Sequence, residues 1–168
     1  MLVDPQLLAN ARKFIGHTGP KHTDEVTRKE IRRFAISIGD DNPLYFDDAY
    51  AKAAGYQSVI APPMFHCAFA LPDERLDKLE PSGVGSNMGP RFEVPVPGFG
   101  GAVAGGREIT LGEPMCPGDV ITHEEKVVDV YAKEGKAGPL IFIITEYLYT
   151  NQRGQMVVKE RQTLIRHQ

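Results

Sequence analysis

Tryptophan is absent from the 168-residue chain, cysteine occurs twice, and no stretch approaches the roughly 18 consecutive apolar residues of a membrane span. Two thiols make no disulfide framework, and Cys67, inside the apolar run Met64 to Leu71, reads as a reduced, buried thiol. His and Cys repeat no ligand spacing, so no metal site is expected. An excess of positive charge is also missing. The formal charge is −3 and the basic residues are dispersed, which removes the electrostatic footprint of a nucleic-acid or anionic-membrane partner. The N-terminus lacks a basic region followed by an apolar stretch, so the expected location is the cytoplasm.

What the chain does contain is an ordinary globular mixture, 42% apolar and 24% charged residues. Its length suits a single domain spanning residues 1–168 that buries roughly 70% of the surface exposed when unfolded. The 17 glycines and 13 prolines crowd between Pro81 and Gly118, predicting a loop-rich middle rather than a linker. The segment Pro81 to Gly101 is long for a loop and either covers a ligand pocket or runs as a surface excursion.

Helical spacing of Leu7, Leu8, Ala11 and Ile15 predicts a helix from Pro5 to Ile15, stopped by Gly16. Thr27-Arg28-Lys29-Glu30 is a capping box, followed by an apolar face of Ile31, Phe34, Ala35 and Ile38 and a stop at Gly39. A third, short helix is expected over Asp47 to Ala54, acidic at its start and closed by Gly55. Lys21 to Val26 has a weak strand pattern, and Ser58 to Ile60 reads as extended. Met64 to Leu71 is too short and too apolar for a surface helix, so a helix packed inside a sheet is expected.

The second half reads as four strands: Ala102 to Leu111, Val120 to Ala132, Leu140 to Thr150 and Met156 to Arg166. Asn151-Gln152-Arg153-Gly154 is a hairpin turn between the last two. Helices first and an antiparallel meander afterwards indicate an α+β fold.

The segment Ser37-Ile38-Gly39-Asp40-Asp41-Asn42-Pro43-Leu44-Tyr45 resembles the signature of the MaoC-like, R-specific enoyl-CoA hydratase and dehydratase family. In that family the last position is His; here it is Tyr45. Tyr50 to Tyr56, Ala61-Pro62-Pro63-Met64-Phe65 and Pro114 to Asp119 are similar to the variant known as FAS1-like dehydratase domains, and together the matches cover nearly the whole chain. The resemblance implies a hot-dog fold, an antiparallel sheet wrapped around a central apolar helix. It also implies an acyl-CoA or acyl-carrier-protein thioester as substrate, with no cofactor beyond that carrier. Where family members often carry His-Gly-Gly, this chain has Ala104-Gly105-Gly106, whose glycines suit a bulge or a close backbone approach.

Hydration of an enoyl thioester requires a base for the attacking water, a proton for the α-carbon and stabilisation of negative charge on the thioester oxygen. By motif position Asp40 takes a catalytic role. Tyr45 takes the other with difficulty, since a phenol of pKa about 10 is a poor base at neutral pH although it can donate a proton or hydrogen bond. Asn42 is expected to organise the turn beside the substrate. Pro63, Met64, Phe65 and His66 form the expected substrate-binding turn, with the amides of the last three as candidate oxyanion donors. His66 is the single histidine in an apolar segment; His17, His22, His123 and His167 sit in polar contexts that suggest exposure.

Two enzymatic readings are open. In one, the chain shapes the acyl tunnel while a second MaoC-like chain, or a second copy in a homodimer, completes the site, as FAS1-like chains often pair. In the other, it is a self-sufficient hydratase using Asp40 with Tyr45 or His66. A non-catalytic acyl-thioester binding protein and, more remotely, a thioesterase are the alternatives.

Overall fold

In the computed structural model, residues 3–69 and 93–168 are described; residues 70–92, with most of the expected Pro81 to Gly101 loop and the end of the expected Met64 to Leu71 helix, lie outside them. Local chemistry sets the first elements. Helix α1 (Pro5–Arg12) is capped by Asp4, whose carboxylate accepts the Gln6 amide. It stops earlier than the apolar spacing predicts, because the amides of Phe14 and Ile15 form tight i−3 bonds and Gly16 then donates to the carbonyl of Val127. Pairing with the sheet displaces the last helical turn.

Strand β1 (His22–Glu25) leads into α2 (Arg28–Ser37), where both halves of the capping box form between Thr27 and Glu30. The end of α2 is a Schellman motif: Gly39, at φ +69°, donates to Ile36, and Asp40 donates to Ala35. A 3-10 turn (Pro43–Tyr45) and helix α3 (Asp48–Ala53) come next. Ser58 to Ile60 joins no sheet ladder. The Val59 amide donates to the Asp48 carboxylate and that of Ile60 to the Leu44 carbonyl, so side-chain and turn bonds replace strand pairing. Helix α4 (Phe65–Phe69) is short within the described residues.

Strands β2 (Gly101–Leu111), β3 (Val120–Gly135), β4 (Gly138–Thr150) and β5 (Met156–His167) join β1 in one antiparallel sheet ordered β1-β3-β4-β5-β2. The β4–β5 hairpin turns on Gly154 at φ +74°, and the Asn151 side chain closes the loop by accepting the amides of Arg153 and Gln155. The β2 register shifts between Ala104 and Gly106, and a Cβ on Gly105 would come within 2.7 Å of Thr163, so both the bulge and the close approach are present.

Helix α4 docks on the sheet through Phe65, which meets Phe34 of α2 edge-on and packs with Ile121, Tyr149, Val157 and Val158. This is the α+β hot-dog arrangement. A second cluster, built on Ala11, Val94, Val96, Phe99, Val130 and Ile141, fills the region under α1. Along β3, alternate residues from Ile121 to Val127 face inward, which buries His123 and Glu125. The expectation of an exposed His123 is therefore corrected: the two-residue period of the strand outweighs the polar character of its neighbours. Among the described residues no helix is long and apolar enough to cross a membrane.

Candidate active site

The Schellman turn fixes where Asp40 leaves α2, and two successive side-chain bonds shape the next four residues. The Asp40 carboxylate accepts the Asn42 amide at 3.1 Å, and the Asn42 side chain accepts the Leu44 amide at 3.1 Å. Asn42 thus organises the turn as its residue type suggests. These bonds bring Tyr45 inward, with 6% of its surface exposed. Burial, then the charge of Asp40 and a hydrogen bond to it, raise the Tyr45 pKa above that of an ordinary phenol. A phenol so held remains protonated at neutral pH; it can donate a proton or hydrogen bond and is unsuited to act as a base.

Tyr45 opens onto a cleft of about 280 Å³ between the 3-10 turn, the start of α4, the end of β2 and β5. Ile60, Ala61, Pro63, Met64, Phe65 and His66 line it with Tyr45, opposite Leu111, Met115 and Val158. The expected substrate turn and Tyr45 are thereby brought together. Asp40 and Asn42, expected at the substrate, are not among the lining residues and interact with Tyr45 instead. Met64 adopts φ +70°, a left-handed conformation that costs a non-glycine residue on the order of 1 kcal/mol, and it sits where the chain enters α4 beside the cleft. Of the three candidate oxyanion donors, the Phe65 amide is already committed to the Pro62 carbonyl at 3.1 Å.

His66 is 1% exposed and faces groups that its sequence neighbours do not announce. Its Nε2 lies 3.1 Å from Oε2 of Glu160 and 3.6 Å from Sγ of Cys67. Arg107 from β2 reaches the other Glu160 oxygen at 3.2 Å and donates to Cys67 Sγ at 3.6 Å. Burial by itself lowers the pKa of His66, but the hydrogen bonds and charges of Cys67 and Glu160 outweigh it and raise the pKa to about 9. The Cys67 thiol is held below its usual value, chiefly by its hydrogen bond to His66. Cys67 is therefore part of an ionic cluster rather than an inert core thiol.

Sequence spacing does not point to Glu160 or Arg107, because His66 and Glu160 are 94 positions apart. One signal is present. Val158 and Glu160 share a face of β5, so the strand period alone places a carboxyl beside the core.

A raised folded pKa stabilises the folded state fully below the unfolded value of about 6.5, and the contribution fades as pH rises through about 9. NMR titration of His66 in metal-free buffer is expected to show a midpoint near 9. Cys67→Ser should move that midpoint downward, since Cys67 is the largest raising influence; an unmoved midpoint would show that the thiol does not hold the proton.

The family model of the FAS1-like dehydratase domain region matches residues 13–160. A UPF0336 protein of Thermobifida fusca is 36% identical over 112 residues, covering 66% of this chain and 65% of that protein. A probable enoyl-CoA hydratase alpha subunit of Thermomonospora curvata is 28% identical over 154 residues, covering 85% of this chain and 45% of that subunit. The chain thus spans less than two thirds of the length of both. Among solved structures, the ChsH1–ChsH2 complex from Mycobacterium tuberculosis superposes with a TM-score of 0.75 at 22% identity, covering 97% of this chain and 95% of that one. The fold and the extent of the family match agree: the chain belongs to the FAS1-like dehydratase family and has the hot-dog fold.

Proposed function

We propose that the chain is the acyl-binding subunit of an enoyl-thioester hydratase or dehydratase, adding water reversibly to a 2-enoyl thioester of CoA or acyl carrier protein. The catalytic Asp and His would come from a second hot-dog chain. The observation that carries this reading is Tyr45, protonated and lining an apolar cleft where the family signature has a base. The cleft suits an acyl chain, while Tyr45 can hydrogen bond to substrate or bound water with Asp40 as its positioning partner. Such a reaction needs no redox cofactor, and acyl-thioester metabolism fits a cytoplasmic setting.

The partner reading draws support from the sheet edge. Strand β2 is terminal in the sheet, and its residues 102–108 are exposed throughout. An 11-residue edge of this kind is a template for pairing with another chain. The relative named as an alpha subunit and the solved two-component complex point the same way. A self-sufficient hydratase is disfavoured because His66, with its pKa raised to about 9, is as poor a base at neutral pH as Tyr45.

The cleft assignment is tested by calorimetric titration of the chain with saturated acyl-CoA. Leu111 is 54% exposed and lines the cleft, so Leu111→Trp narrows it without disturbing the core. Acyl-CoA affinity is expected to fall about tenfold, or about 1.4 kcal/mol, with the thermal midpoint preserved. Unchanged affinity would place the acyl chain elsewhere.

A further inference from the structure

We propose that His66, Cys67 and Glu160 form a binding site for one thiophilic divalent metal ion, of which zinc is the natural example. Imidazole nitrogen, thiolate sulfur and carboxylate oxygen are together the donor set that suits this ion. Their ligand atoms, Nε2, Sγ and a carboxylate oxygen, all lie within 4.8 Å of one another. The two separations from Nε2, 3.1 Å to Oε2 and 3.6 Å to Sγ, compare with roughly 3.3–3.7 Å between ligands on a tetrahedral ion with bonds of about 2.0–2.3 Å. The third separation, from Sγ to the carboxylate, is no more than 4.8 Å, so an ion would draw Cys67 and Glu160 toward each other.

The surroundings are those of a built site rather than a chance surface cluster. His66 and Glu160 are buried, and they come from different elements, α4 and β5. Cys67 is only half-buried, so the cluster is reached by solvent on its thiol side. Arg107 holds Oε1 of Glu160 at 3.2 Å, turning Oε2 toward His66 and fixing the carboxylate as an outer partner does in metal sites. Because His66 also lines the acyl cleft, an ion here would clamp the start of α4 to β5 beside it.

The test is titration of the metal-free full chain with cobalt(II), read by absorption. One equivalent should produce a thiolate-to-cobalt band and the intense visible bands of four-coordinate cobalt, and zinc should displace them. Cys67→Ser, at a half-buried position, should abolish the thiolate band, whereas Cys116→Ser should leave it intact. Glu160→Gln, checked for folding by circular dichroism, should weaken binding on the order of 100-fold. Zinc should also slow alkylation of Cys67 at least about tenfold without slowing that of Cys116. No band at one equivalent, a band retained in Cys67→Ser, or alkylation unaffected by zinc would each overturn the proposal and leave the cluster as an ion pair alone.

Discussion

Glu160→Ala is expected to lower the unfolding free energy by about 3 kcal/mol in metal-free buffer near pH 6, read from urea denaturation. The carboxylate is 5% exposed and is the charged partner of both His66 and Arg107. Removing it leaves a buried imidazolium facing Cys67 alone, and loss of one member of a buried pair is far more costly than loss of both. Glu160→Gln retains an acceptor for Nε2 and should lose about 1 kcal/mol, in the range of one hydrogen bond. The double substitution His66→Leu with Glu160→Leu should recover much of the alanine deficit, because no buried charge is then left unpaired and Arg107, 44% exposed, is solvated. A deficit below about 1 kcal/mol in Glu160→Ala would mean that the cluster is solvated and its members act independently.

Much of the fold was legible because it rests on local rules. The capping box at Thr27, the stop at Gly39 and the Asn151 to Gly154 turn depend on a few adjacent residues, and each forms as the sequence predicts. The strand period identifies β2 to β5 to within a few residues at each end. The misjudged points are those decided by distant partners. α1 ends early because Gly16 pairs with Val127, and Cys67, expected as a buried core thiol, is half-buried beside Arg107 of a distant strand.

The site divides in the same way. Asp40, Asn42 and Tyr45 lie on one turn, so their proximity follows from chain geometry, whereas the cleft lining that separates Tyr45 from Asp40 required the packed structure. The cluster around His66 was invisible because Glu160 and Arg107 arrive from two other strands. Inward-facing polar side chains at Glu160, Glu125 and His123 also contradict the apolar-in pattern by which strands are recognised. Spacing of His and Cys along the chain could not reveal a set completed by the fold.

In the proposed division of labour this chain binds the acyl group and lacks the base. General acid–base catalysis contributes about 10²- to 10⁴-fold, so an absent base should be plain in turnover. The decisive measurement follows loss of the conjugated enoyl absorbance of a 2-enoyl-CoA with the purified full chain, alone and mixed with a hot-dog chain that copurifies with it and carries the Asp/His pair. The chain alone should remain at background and the mixture should rise by at least about 10²-fold, the smallest effect of a restored acid–base pair. Full turnover by the chain alone, abolished in Asp40→Asn with the fold retained, would contradict the division of labour and make this chain its own hydratase.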